Sequence, residues 1–277
     1  MSLASDICDH LGELRSSKRL LAHDIEGYPT SGVSVCSFAW SASEALSVPL
    51  LHCNHGRFWS SEDEAEIMAA LKALLEDAEV PKVGHNISYE FFTWSWAHQI
   101  TMRGIADDTM LKFAELYPEL DKSLEMAASI LTKEPYWKHG ADTTDDLEFA
   151  KYNATDSLVT FEINERMASL LDEQQIAHYR HQMALLELSN QQALDGMAFD
   201  TEARGAMLKS LEQQAVEAQG ALDAAAGLTP PTLTEVAQTV CNKRRLADVK
   251  QWADVEMAAK PTFEKTVKRI VALAKGM

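Results

Sequence analysis

Over residues 1–170 the apolar positions change period several times. From 19 to 26 an apolar run (Leu20, Leu21, Ala22) leads into Asp24-Ile25-Glu26 and predicts a strand. Thr30, Ser31 and Gly32 make a turn, after which Val33, Val35 and Ala39 alternate with small polar residues as a second strand. A third is expected over 48–53. Ser61-x-x-Glu64 reads as a capping box, and Ile67, Leu71, Leu74 and Leu75 follow at helical spacing. A short strand over 80–83 ends near Gly84, and a helix over 88–98 carries Phe91, Phe92, Trp94 and Trp96. Ile105 leads a last strand toward Asp107-Asp108, and Asp108 caps a helix holding Met110, Leu111 and Leu116 that Pro118 stops. Helices are expected over 123–131 and from 145 to about 171. Three hairpin-joined strands followed by alternating units indicate an α/β domain with a mixed sheet flanked by helices.

After residue 172 the pattern is helical only, with segments at about 174–195, 201–225, 233–240, 243–257 and 261–275, interrupted by Gly227 and Pro230-Pro231. The expected division is therefore a domain over 1–172 and an all-α C-terminal region over 173–277.

Composition narrows the class. Hydrophobic residues make up 46% and charged ones 24% of 277, which excludes a disordered or fibrous chain. No apolar run approaches the ~20 residues needed to span a bilayer. The first fifteen residues carry Asp6, Asp9 and Glu13 and do not read as a secretory signal. Cys8, Cys36, Cys53 and Cys241 form no CxxC pair and read as small hydrophobes in a reducing, cytoplasmic setting, that of a bacterium or a phage-infected host. The net charge of −17 excludes broad coating of nucleic acid. The excess is uneven: residues 1–170 hold 28 acidic and 13 basic side chains, whereas 241–277 hold 9 basic and 4 acidic. That basic end (Lys243, Arg244, Arg245, Lys265, Lys268, Arg269) reads equally as a phosphate or partner contact and as a solvated helix face.

Asp-x-Glu occurs five times, at Asp24, Asp77, Asp146, Asp200 and Asp254, so the motif alone says little. Asp24-Ile25-Glu26 differs because it ends a strand. Residues i and i+2 of a strand face one way, and two carboxylates projecting together call for a cation. Hard oxygen ligands suit Mg²⁺ or Mn²⁺. Tyr152 and Asp156 lie one turn apart on the long helix. Gly84-His85-Asn86-Ile87-Ser88-Tyr89-Glu90 occupies a strand-to-helix turn, with Glu90 in the first helical turn. His23 and His85 read as locally hydrogen-bonded, Asp107 and Asp108 as capping acids. The Phe91/Phe92/Trp94/Trp96 cluster reads as core ahead of a base-stacking surface.

In that order, these motifs resemble the DEDD 3′–5′ exonuclease superfamily in its Tyr-containing subgroup. The closer resemblance is to the proofreading domain of bacteriophage-type family-A DNA polymerases. Lys82-Val83-Gly84-His85-Asn86-Ile87-Ser88-Tyr89, Asp108-Thr109-Met110-Leu111, Lys122-Ser123-Leu124, Glu134-Pro135-Tyr136-Trp137-Lys138 and Tyr152-Asn153-Ala154-Thr155-Asp156 carry it, over about 18–170. Glu90 stands where the family usually has Asp. Residues 183–200 resemble the segment leading into the thumb of such a polymerase, and no palm or finger motif follows.

The resemblance implies a ribonuclease H-like sheet and stepwise hydrolysis of DNA from a single-stranded or frayed 3′ end by two divalent ions, Mg²⁺ or Mn²⁺. Asp24, Glu26 and Asp156 would hold the ion that binds the attacking water. Asp24 would bridge to a second ion supported by Glu90, and Tyr152 would orient the water. Either a truncated polymerase or a stand-alone exonuclease working beside a separate polymerase chain is expected, with no membrane partner. The alternatives are an RNA-trimming exonuclease and a catalytically weak, polymerase-associated interaction protein.

Overall fold

The computed structural model describes residues 2–53, 56–196 and 198–226. The helices expected at 233–240, 243–257 and 261–275, the basic end and Cys241 lie outside the described residues. Helix α1 (Leu3–Ser17) opens the chain, with Ser2 capping it through the Ser5 N–H. The apolar pattern of the sequence does not single this helix out. Its apolar positions Ala4, Ile7, Leu11 and Leu14 are buried against α2, while the acids between them face outward.

Strands β1 (Leu21–Tyr28), β2 (Gly32–Ala39) and β3 (Ala45–Pro49) form the antiparallel half of a five-stranded sheet. Strands β4 (Lys82–Gly84) and β5 (Ile105–Asp108) add in parallel, giving the order β3-β2-β1-β4-β5. The third strand lies earlier than the expected 48–53. Pairing with β2 runs from Ala39↔Ala45 to Val35↔Pro49, and the Leu50 and Leu51 N–H groups then both turn to the Ser34 carbonyl. Central position gives β1 paired neighbours on both edges and buries Leu21, Ala22 and Ile25.

The pairing of β1 with β2 slips between Glu26 and Gly27. Gly27 has φ 153°, and a Cβ there would stand 2.3 Å from the Gly32 carbonyl oxygen, so only glycine fits this bulge.

The cap of helix α2 (Ser61–Leu75) lies one residue before the expected one: Ser60, not Ser61, accepts the Asp63 N–H. Helix α3 (Ser88–His98) follows β4, α4 (Thr109–Leu116) follows β5, and α5 (Leu124–Leu131) precedes a 3₁₀ turn over Lys138–Asp142. The long helix α6 (Asp146–Ala168), capped by Asp145, crosses β1, β2 and β3. One core packs α1, α2 and α3 against the sheet; a second joins Phe113, Leu124, Ala128, Val159, Ile163 and Met167 of α4, α5 and α6. Burial of these side chains, each worth roughly 1.5–3 kcal/mol, fixes the helices on the sheet.

Helix α7 (Glu173–Asp195) begins at the 172/173 boundary with a capping box between Asp172 and Gln175. It packs on α3 and α4, and the first compact unit runs through residue 197. The second unit begins at Ala198; its described part is α8 (Thr201–Ala225), capped by Asp200. Among the described residues no helix is long and apolar enough to cross a membrane, and Cys8, Cys36 and Cys53 are free thiols.

Candidate metal centre

Asp24 and Glu26 leave the same face of β1. Opposite Asp24 on β2 is Ser37, whose hydroxyl donates to the Asn153 carbonyl (2.8 Å) and lies 2.7 Å from the Ser157 hydroxyl. These small buried groups let α6 approach the sheet and set its rotation, which turns Asp156 toward the strand acids. Ligand oxygens of Asp24, Glu26 and Asp156 all lie within 4.8 Å of one another. Glu90 is not part of that trio but faces it from the first turn of α3, nearly fully buried, with Oε2 lacking a hydrogen-bond partner. Tyr152 lies one turn before Asp156 and is 9% exposed.

The electrostatics are those of crowded carboxylates that one ammonium, Lys138, offsets only in part. Burial, then Asp156, Glu90 and Glu26, push Asp24 well above the usual carboxylate range. Burial and Asp156 push Glu26 up to about 7. Burial likewise raises Glu90 well above its ordinary value, with Asp108 and Glu26 adding to it. Asp156 is raised by burial against the opposing pull of Lys138. Burial and the three acids hold the Tyr152 phenol far above its ordinary value.

Three residues beyond the expected set touch this cluster. Asn153 Nδ2 donates to Asp24 Oδ2 at 2.7 Å. Trp137 Nε1 donates to Asp156 Oδ1 at 2.8 Å, and Lys138 Nζ donates to the same oxygen at 2.7 Å. Asn153 was legible in principle, because it sits three residues before Asp156 on one helix face. Trp137 and Lys138 lie in a stretch without period, where spacing carries no signal.

The donor set fits a divalent cation. Three convergent carboxylates and a fourth buried acid with an unpartnered oxygen are hard ligands whose mutual repulsion a cation relieves.

His23 and His85 are hydrogen-bonded and Asp108 is a cap, as expected, whereas Asp107, read as a capping acid, makes an ion pair instead. His23 is fully buried, with Nδ1 2.9 Å from the Ser37 carbonyl and Nε2 accepting from Trp94 Nε1. His85 bonds Thr109 and the Lys122 carbonyl. Asp108 caps α4 and also accepts the N–H groups of Asn86 and Ile87, clamping the turn before α3. Asp107 pairs with Lys112 at 2.8 Å and accepts the Tyr179 hydroxyl. The aromatic cluster divides: Phe91 and Trp94 are core, while Phe92 and Trp96 stack on each other with Trp96 at the surface.

No family model and no curated protein sequence matches the chain. Its fold matches solved structures. One, described as an apo form of a nuclease, is 16% identical with TM-score 0.53, over 69% of this chain and 92% of that one. Another is the POL domain of Pol1 from M. smegmatis in complex with DNA primer-template and dNTP, 12% identical with TM-score 0.53, over 98% of this chain and 48% of that one. Escherichia coli RNase D, described as an exoribonuclease involved in structured RNA processing, is a weaker likeness: 14% identity, TM-score 0.47, 68% of this chain and 48% of that one. The chain has a ribonuclease H-like fold, a mixed sheet flanked by helices with a helical region after it.

Proposed function

We propose that this protein is a metal-dependent 3′–5′ exonuclease that releases nucleoside monophosphates from the 3′ end of DNA, a proofreading type of activity. The observation that carries the reading is the convergence of Asp24, Glu26 and Asp156 within 4.8 Å beside the unpartnered oxygen of Glu90.

Asp24, Glu26 and Asp156 serve as one set of metal ligands, and Asp24 with Glu90 as a second. Two divalent ions, Mg²⁺ or Mn²⁺, when bound there supply activation of a water and stabilisation of the leaving 3′ oxygen. Asn153 holds Asp24 through Oδ2. Tyr152 orients the attacking water by hydrogen bond. With its phenol raised above an ordinary value near 10, it keeps its proton at neutral pH and does not serve as the base. A scissile phosphate reaches the acids only from a frayed or single-stranded end.

DNA is favoured over RNA by the likeness to a polymerase domain bound to DNA primer-template, which extends over 98% of this chain. Helices α7 and α8 correspond in this reading to the start of a polymerase thumb, which suits either one part of a longer polymerase or an exonuclease working beside a separate polymerase chain.

The test is digestion of 5′-labelled single-stranded DNA with Mg²⁺ or Mn²⁺. Wild-type protein is expected to give a ladder shortened from the 3′ end, and Asp24→Ala none. Absence of a ladder with either metal overturns the reading in favour of a catalytically weak interaction protein. Much faster degradation of a matched RNA moves the assignment to RNA trimming.

A further inference from the structure

An ammonium group already meets the carboxylate cluster. Lys138 Nζ stands 2.7 Å from Asp156 Oδ1 and 3.3 Å from the Tyr152 hydroxyl, and 5.2 Å from the centre of the Tyr152 ring. The pair is mostly inside the protein, with side-chain exposure of 22% for Lys138 and 2% for Asp156. The backbone is built to deliver it. Lys138 begins the 3₁₀ turn, and that turn presses on Tyr152 so closely that a Cβ at Gly140 would lie 3.0 Å from the Tyr152 Cβ. Trp137 donates to the same Asp156 oxygen from the preceding position. Two donors therefore fix one oxygen of Asp156 and leave the other to the acid cluster.

A lysine ammonium is a compact point charge on a flexible stem, and it carries about half the charge of a divalent ion. Beside a metal ligand it does two opposed things. It relieves repulsion among the acids when no metal is present, and it repels a metal that arrives. Whatever stabilises the metal-free state more than the loaded state weakens metal binding by the same factor.

We propose that Lys138 is a positioning residue that shares Asp156 with the metal, holding Asp156 and the Tyr152 hydroxyl in place in the metal-free chain and setting the affinity with which metal is taken up. The proposal rests on the metal-dependent reading above and adds to it a residue of this chain that the ligand motif does not contain.

The test uses the full chain, with melting followed with and without saturating Mn²⁺ and Mn²⁺ binding measured by titration calorimetry. Lys138→Met is expected to lower the metal-free melting temperature by about 5 °C, and the gap to wild type is expected to close when Mn²⁺ saturates. Mn²⁺ binding should tighten at least about tenfold, the size expected from removing a unit charge ~5 Å from a divalent ion even at the dielectric of water. Lys138→Arg, which keeps the charge, should stay near wild type on both readouts. Lys138→Gln, which keeps a donor without the charge, should follow Lys138→Met, and it serves as the reading if the methionine variant does not fold. An equal melting loss with and without Mn²⁺ would mean simple packing and overturns the proposal. Weaker Mn²⁺ binding overturns it as well, because the lysine would then assist the metal instead of sharing its ligand. A wild-type protein that takes up no Mn²⁺ sinks the metal-dependent function itself, and that failure is seen before any variant is compared.

Discussion

Two acid pairs flank strand β4, one on β1 and one on β5, and they are solved in opposite ways. Asp107 and Asp108 end β5 fully compensated. Lys112 and the Tyr179 hydroxyl meet Asp107, and four backbone N–H groups, those of Asn86, Ile87, Met110 and Leu111, point at Asp108. Asp24 and Glu26 on β1 face two further carboxylates instead, with Asn153 and Lys138 as partial relief. Acidity is the same in both places. What separates a structural acid from a ligand acid is whether the protein itself completes its partners.

The sharpest way to break this contrast is to remove one acid from each pair. Asp24→Asn should cost activity more than about 100-fold, the upper end of what removing a metal site's outer-shell partners costs, while leaving the metal-free melting temperature unchanged or higher because a repulsion is relieved. A stability loss there comparable to that at Asp108 would erase the distinction. Asp108→Ala should behave the other way. It strips the cap of α4 and the clamp on the Asn86-Ile87 turn, where Asn86 is held at φ 67°, and should cost about 3 kcal/mol in urea unfolding. Activity falls only as far as Glu90 is displaced with α3.

A pH series sharpens the same point. Glu26 sits at about 7 in the folded metal-free chain against an ordinary 4.5, so the folded state binds more protons between those values. Stability without metal should therefore be highest near pH 5 and fall by about 2 kcal/mol toward pH 8. Glu26→Gln should flatten that slope, and a slope unchanged in the variant would put its origin elsewhere. The smallest effect belongs to the compensated pair: Tyr179→Phe removes the hydroxyl that donates to Asp107 and accepts the Asp108 N–H. A loss of about 1 kcal/mol with activity retained is expected from chemical denaturation and the nuclease assay together.

How much of this was visible in the chain follows the same division. The strand pair Asp24-x-Glu26 and the helical pair Tyr152/Asp156 are local patterns, and period alone places their side chains on one face. Glu90 was placed at the head of α3 for the same reason. The mixed sheet followed from hairpins and alternation. Helix α1 gives only a weak signal, because its apolar stripe is interleaved with acids. The cap of α2 was placed one residue late because Ser60 and Ser61 are adjacent and either satisfies the motif. Lys138, Trp137 and the link from Tyr179 to β5 are contacts between segments far apart in sequence, and they depend on packing that no short window encodes.

The bulge after Glu26 bears on any attempt to move this centre onto another scaffold. The strand that presents Asp24 and Glu26 bulges at Gly27, where the backbone of Gly32 fills the place of a side chain. The transplantable unit is therefore the whole hairpin arm from Leu21 to Gly32, since a host strand receiving only the two acids would carry a residue that blocks the bend behind them.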